Sequence, residues 1–310
     1  MNFFRNMKKE IQHDKFAIYT ACIGGYDDIL QPIVVDDRFD YILFTNDIKE
    51  TNIGVWQVRK VEYTNSDKTR IARYIKTHPH ELLSEYATTL WMDSSLQIIS
   101  QKVYDRYVEL VNNNVDVASV KHPKRDCIYE EAFEVASRQY PGALEYEDIA
   151  LKWCHKLWEE HYPIHNGLFE TSILFRRNNT IVNKLDDLWW ECINNYSKRD
   201  QLSFNYVLWK TKPTVDKFLK NGEHMLKSDK VRYRQHATVS IRKALPLNHW
   251  QQIRYKYRVH NRENALKYWY LYMKSPMPIL LLHCHGSMIA IYTKLKSKIL
   301  KRISRYVQKG

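Results

Sequence analysis

An α/β fold with one ligand-facing sheet edge is the architecture that this 310-residue sequence predicts. The first observation is the stretch Leu90–Trp91–Met92, a short apolar run that ends abruptly in Asp93–Ser94–Ser95 before a second run, Leu96–Ile99. A buried strand stops where it meets water, so Asp93 is expected at a carboxyl edge, where open α/β sheets place their ligands. The second observation is that other short apolar runs also finish in polar or glycine residues: Phe16–Ala21 runs into Ile23–Gly24–Gly25–Tyr26–Asp27, and Asp40–Phe44 into Thr45–Asn46–Asp47. The third is that helical patterns are interleaved with these strands.

Taken in order, Phe16–Ala21 reads as a first strand, with Gly24 and Gly25 placed to let the backbone approach a ligand. Asp40–Asp47 is a second strand, and Val55–Tyr63 alternates enough to be a third. Lys68–Thr77 reads as a helix stopped by Pro79, which then opens a short helix through Tyr86. Within the first helix Arg70, Arg73 and Lys76 recur every third residue and share a face, which either is solvated or meets an anion. Val115–Val120 is another strand, leading into a loop with His122 and Arg125. Ala132–Trp158 looks helical with a break at Pro141–Gly142, and Asn166–Glu170 leads into a strong strand, Thr171–Arg176. Lys184–Tyr196 is a tryptophan-rich amphipathic helix; Asp200 and Gln201 then stand in the first turn of a helix over Leu202–Lys210.

Composition narrows the class. Hydrophobic residues make up 44%, as in a globular protein, and the five scattered cysteines contain no CxxC pair, which argues for a reducing compartment and against a zinc or disulfide framework. No secretory signal is visible at the amino terminus, and the longest apolar run, Met277–Ile291, is interrupted by His283–Gly286, so no spanning helix is expected. Net charge is +13, very unevenly spread. From Val231 onward 17 Lys and Arg stand against one acid, Glu263, so this segment carries +16 and residues 1–230 carry −3. That shift sets the expected division: a catalytic domain over residues 1–230 and a basic helical extension over 231–310, with Pro276–Tyr292 and the lysines after it expected to bind an anionic membrane surface.

A carboxylate flanked by hydroxyls at a sheet edge suits a hydrated divalent cation carrying phosphates. Tyr19–Asp27, the Arg70/Arg73/Lys76 face, Leu90–Ser95, His122–Arg125, Gly167–Glu170 and Arg199–Gln201 also occur, in this order, in a pattern that resembles a glycosyltransferase-like family. Its plant members include mucilage-related transferases and a protein described as an alkaline ceramidase, and its bacterial relatives usually lie among surface-polysaccharide genes. The resemblance covers roughly residues 17–210. It implies a GT-A-like nucleotide-binding sandwich with a mainly parallel central sheet, distantly similar to glycogenin-like transferases, in which a basic helix precedes a strand ending in Asp-x-Asp.

The resemblance further implies a nucleotide-sugar donor and a glycan or lipid-linked acceptor. Asp93 would hold manganese or magnesium, and Ser95 stands where the motif has its second carboxylate. Arg70, Arg73 and Lys76 would meet the nucleotide phosphates, with Gly24, Gly25, His122 and Arg125 as further substrate contacts and Gln201 on the donor sugar. Asp200 is the first candidate to deprotonate the acceptor and Glu170 the second. The expected location is cytoplasmic, peripheral to the membrane. Two competing readings remain. The basic, tyrosine-rich stretch Arg254–Arg258 would suit RNA, but no recognised nucleic-acid motif is present. A hydrolase would need a zinc set or an activated nucleophile, and neither HExxH nor GxSxG occurs.

Overall fold

The computed structural model describes residues 16–137, 143–220 and 222–234, which separate into two compact units. The first unit holds residues 16–126 and 167–234; the second, among the described residues, holds 127–166.

The first unit is built on a mixed eight-stranded sheet. Its strands are β1 (Phe16–Ala21), β2 (Phe39–Thr45), β3 (Asn52–Ile53), β4 (Trp56–Lys60), β5 (Thr88–Met92), β7 (Val117–Lys121), β8 (Phe169–Arg177) and β9 (Val215–Lys217), in the spatial order β3-β4-β2-β1-β5-β8-β7-β9. β1, β2, β4 and β5 pair in parallel, and β7 and β9 run in the same sense. Only β3 and β8 run against the rest. The sheet is therefore mainly parallel, as expected. A parallel sheet covered on both faces needs apolar residues at every position, which is why β2 and β5 are buried along their full lengths.

The helices α1 (Lys68–Thr77), α2 (Pro79–Leu82), α3 (Lys102–Asn112), α6 (Thr180–Asn195) and α7 (Gln201–Thr211) belong to this unit. In α3, Val103, Tyr104, Tyr107 and Leu110 share one face and join Ile18, Leu43, Leu90 and Phe175 in the core. The Tyr107 hydroxyl donates to Thr88 Oγ1 at 2.7 Å, so this tyrosine is buried with its polar end satisfied. α1 starts where Asp67 accepts from the Thr69 N–H at 3.0 Å and stops before Pro79. α2 ends at Leu82 rather than continuing to Tyr86, because the Tyr86 side chain turns into the core and its hydroxyl donates to Asp40 at 2.8 Å.

Beyond β5 a tight turn leads to β6 (Leu96–Ile98), which pairs antiparallel with β10 (Val231–Tyr233). The first residues after Lys230 thus close this unit. The apolar run Pro276–Tyr292, the basic residues following it and Arg254–Arg258 lie outside the described residues. The second unit contains α4 (Ile128–Ser137) and α5 (Ala143–Glu159), with the Tyr129 hydroxyl donating to the Tyr162 carbonyl at 2.9 Å. No described helix is long and apolar enough to cross a membrane.

Candidate active site

Because β1, β2, β5 and β7 share one direction and β8 the opposite one, the carboxyl ends of the first four and the amino end of β8 meet at a single edge. Gly24 and Gly25, Asp93, His122, Glu170 and Thr171 all stand along it. Gly24 and Gly25 both have left-handed backbones, with φ of 71° and 63°, a conformation that carries no steric penalty only for glycine. A Cβ at Gly24 would run into the Lys68 ammonium and its last methylenes.

Asp93 directly follows β5. Its N–H donates to the Ser172 carbonyl at 2.9 Å and its carbonyl accepts from Leu96 N–H at 2.9 Å, which fixes the turn. Its Oδ1 accepts from the Trp91 indole at 2.7 Å and lies 3.5 Å from the Lys76 ammonium. Oδ2 takes no hydrogen bond from the described residues. The neighbouring Ser94 hydroxyl bonds the Asp27 carboxylate. Ser95 is 7% exposed, and its hydroxyl has no hydrogen-bond partner among the described residues.

Behind Asp93 lies a buried charge cluster. Lys76, fully buried in the last turn of α1, bonds Asp200 Oδ2 at 2.6 Å and Thr171 Oγ1 at 3.2 Å, with its ammonium 5.3 Å from the Trp91 ring centre. Asp200 also accepts from Thr171 Oγ1 at 2.8 Å and pairs through Oδ1 with Arg73 at 3.2 Å. Burial alone would raise the Asp200 carboxyl, but the charges of Arg73 and Lys76 and the hydrogen bonds from Lys76 and Thr171 hold it well below the usual carboxylate range. Lys76 is positioned from its other end too. Its carbonyl accepts from the Tyr19 hydroxyl at 3.2 Å and from Arg176 at 2.5 Å, and Arg176 is paired with buried Asp186 at 2.5 Å.

The expected site residues take the following places in this geometry. Lys76 was expected on phosphates, yet its ammonium is enclosed and bonded to protein carboxylates. Arg70 donates to the Ile193 carbonyl at 2.9 Å and to Asn194 at 3.3 Å, so it ties α1 to the carboxyl end of α6. Arg73 faces Asp200 and the Lys198 carbonyl. Asp200, expected as the general base, is buried and held by three donors, whereas a base must reach its proton and bind it near neutral pH. His122 is buried, with Nδ1 accepting from the N–H groups of Lys124 and Arg125 at 3.2 and 2.9 Å. That use closes the turn after β7 and keeps His122 and Arg125 together. Glu170 is half-buried at the start of β8, and its carbonyl accepts from the Ser119 hydroxyl at 2.8 Å. Gln201 opens α7 beside Asp200; its side-chain nitrogen is buried without a hydrogen-bond partner among the described residues.

Sequence reasoning missed Thr171, Tyr19, Arg176 and Asp186. Only Thr171 carried a signal, as a hydroxyl opening an apolar strand at the edge where Asp93 was placed. Two adjoining spaces border the Asp93 turn. One is a mainly apolar slot walled by Leu30, Pro32, Leu43, Trp56, Met92 and Ile98. The other is an open polar cleft of about 430 Å³ walled by Asp27, Asp28, Ser94, Ser95, Gln97 and Arg234. Asp28, Leu30 and Ser94 border both.

With this geometry in hand, similarity to known proteins can be placed on it. The family model described as "TOD1/MUCI70, glycosyltransferase-like domain" matches residues 4–232. The probable hexosyltransferase MUCI70 of Arabidopsis thaliana is 25% identical over 234 residues, spanning 70% of this chain and 38% of the relative. The alkaline ceramidase TOD1 of the same plant is 22% identical over 250 residues, spanning 69% of this chain and 54% of the relative. The chain thus spans about half or less of the length of these relatives. Among solved structures, the apo form of the bifunctional glycosyltransferase WbbM aligns with a TM-score of 0.37 and 12% identity, covering 65% of this chain and 38% of that one.

Proposed function

The chain belongs to the TOD1/MUCI70 glycosyltransferase-like family, and from that premise we propose that it transfers a hexose from a nucleotide sugar to a glycan or lipid-linked acceptor in the synthesis of a surface polysaccharide. The observation that carries this reading is the Asp93 turn: a carboxylate at the carboxyl edge of a central parallel strand, with one oxygen anchored by Trp91 and Lys76 and the other open, next to an apolar slot and a polar cleft. In a GT-A-like arrangement the cleft suits the diphosphate and sugar, while the slot, with about 20 Å³ of free space, is too small for a nucleobase as it stands.

A divalent cation, manganese or magnesium, fits the donors present. Asp93 Oδ2 is an open hard oxygen, and Ser95, which lines the cleft, has a hydroxyl without a hydrogen-bond partner among the described residues. One carboxylate with a hydroxyl, phosphate oxygens and water is a common ligand set for magnesium. Bound there, the ion would neutralise charge on the departing diphosphate.

The chain's own residues do the rest. Glycosyl transfer breaks the bond between the anomeric carbon and the diphosphate, and the acceptor hydroxyl loses its proton as it attacks. Lys76 and Asp200 hold Asp93 in register and keep a fixed charge pair behind the reacting centre, where preorganised charge stabilises developing charge without reorganising. Gln201, whose side-chain nitrogen is buried without a partner among the described residues, would have to turn outward to donate to a sugar hydroxyl. Glu170, on the same edge, takes the assignment of acceptor base that the enclosed Asp200 cannot fill. The +16 segment beyond Lys230 supports peripheral attachment to an anionic cytoplasmic membrane face.

The test is to incubate the purified chain with a panel of nucleotide sugars, manganese or magnesium present, and measure nucleotide release. One donor should be turned over slowly without acceptor, and Asp93→Asn should abolish it. A chain that neither binds nor hydrolyses any member of the panel would overturn the reading.

A further inference from the structure

The expected phosphate-binding cations are engaged elsewhere: Arg70 on the end of α6, Arg73 and Lys76 on Asp200. A departing diphosphate still needs positive charge beside Asp93. Of the cations along the edge without an ion-pair partner among the described residues, which include Lys60 and Lys121 at the ends of β4 and β7, two stand by the loops that meet at the Asp93 turn. Lys68, exposed at the first position of α1, lies with its ammonium against the left-handed Gly24. Arg234 follows β10. Its N–H donates to the Ser95 carbonyl at 2.7 Å, and among the described residues its guanidinium holds only Gln97 Oε1, at 3.3 and 3.4 Å. Arg234 lines the polar cleft next to Ser94 and Ser95.

We propose that Lys68 and Arg234 are the diphosphate-binding cations of this site, a step that rests on the nucleotide-sugar reading and sharpens it. Three features support the pairing. Both residues stand against backbone of the site: the Lys68 side chain lies beside Gly24 in the β1 loop, and the Arg234 N–H is bonded to Ser95 in the Asp93 turn. The two loops are joined by the Ser94–Asp27 hydrogen bond, which holds the Gly24–Asp27 segment beside the turn. Finally, a guanidinium with donors to spare matches phosphate in a bidentate fork, and a lysine serves as a point charge, so together they cover a bridging diphosphate. Asp27 and Asp28 share the cleft wall. As acceptors they suit sugar hydroxyls or a cation rather than phosphate, so the phosphates are assigned to Lys68 and Arg234. β10 thereby has a role: pairing with β6 delivers Arg234 of the basic segment to the polar cleft.

The full chain is titrated calorimetrically with inorganic diphosphate, with and without magnesium, and separately with the nucleotide sugar. Lys68→Ala and Arg234→Ala should each weaken diphosphate about tenfold, as loss of one charge-assisted contact does. Arg234→Lys should recover part of the loss, and Arg38→Ala, whose guanidinium pairs with Asp36 at the start of β2, should change nothing. Unchanged melting temperatures would exclude misfolding of these exposed-site variants. Diphosphate binding unaffected by both alanine variants, or no diphosphate binding by the wild type, overturns the proposal. Nucleotide-sugar binding that is lost in Asp93→Asn but untouched in Lys68→Ala and Arg234→Ala would overturn it while keeping the transferase reading. Diphosphate held through Lys68 and Arg234 with no nucleotide sugar bound would do the reverse.

Discussion

Two buried aspartates converge on Lys76 from opposite ends, and they behave in opposite ways. Asp200, near the ammonium, is held by Lys76, Arg73 and Thr171 and sits well below the usual carboxylate range. Asp186 supports the Lys76 carbonyl through Arg176, and burial pushes it up to about 7 although Arg176 opposes this. Both are almost completely enclosed. Depth therefore does not decide the outcome; the number of donors does. Two cations and a hydroxyl outweigh desolvation at Asp200, while one guanidinium does not at Asp186, where Asp187 adds like charge.

The sharpest way to break this comparison is Asp200→Asn. It leaves Arg73 half-buried without its counter-charge and buried Lys76 with only the more distant Asp93 carboxylate, so chemical denaturation should register a loss of roughly 3 kcal/mol. Replacing the pair together, Lys76→Met with Asp200→Leu, should recover much of that loss, because a well-packed apolar pair of similar volume is often neutral. Full recovery of stability with no recovery of nucleotide-sugar binding would mean that the charge cluster is kept for the site and not for the fold.

The same contrast explains which features were legible. β1 is observed over the limits that its six-residue run predicted, because a strand buried on both faces declares itself by composition alone. α1 was equally readable from its polar start and Pro79. In contrast, α3 was passed over although Val103, Tyr104, Tyr107 and Leu110 lie at helical spacing; its charged outer face masked a pattern that periodicity counting would have found. The direction of β8 and the pairing of β6 with β10 have no local signature. At the site, Asp93 could be placed because a strand ends there. Its partners could not, since Lys76 meets Asp200 across 124 residues and Arg176 reaches the Lys76 carbonyl across 100. Residue types suggested that Arg70, Arg73 and Lys76 were phosphate contacts; only tertiary pairing reveals which cations are already neutralised.

A smaller effect should appear in the pH dependence of stability. Asp186 has a folded value raised to about 7, so between its unfolded value near 4 and that point the folded state holds a proton that the unfolded state has released. Its contribution is full at low pH and is lost as pH rises through this window. His80, whose Nδ1 is 3.9 Å from Asp186, is lowered mainly by burial and contributes with the opposite sign, losing stability as pH falls below about 6.5. The two overlap, so the wild-type curve alone is ambiguous. The difference between wild type and Asp186→Asn isolates the carboxyl: wild type should lose ground relative to the variant by about 1.4 kcal/mol per pH unit between pH 4 and 7. A flat difference would mean that Arg176 keeps Asp186 ionised throughout, and the contrast with Asp200 would collapse.

The least stability change is expected at Asp93, and that small number matters most for function. Its side chain is about one-third exposed, its Oδ1 bonds the Trp91 indole, and Lys76 stands at the outer limit of a hydrogen bond. Asp93→Asn keeps an oxygen for the Trp91 donor and leaves Lys76 still paired with Asp200, so the cost should stay within about 1 kcal/mol. The open oxygen loses its charge, however, and an uncharged amide is a poor ligand for a magnesium–diphosphate complex. Thermal unfolding should therefore barely move, while the thermal shift induced by nucleotide sugar with magnesium disappears. A loss of several kcal/mol would place Asp93 with Asp200 as a structural counter-ion and move the catalytic centre away from this turn. An unchanged ligand shift would leave the turn intact as structure and remove it from the binding site.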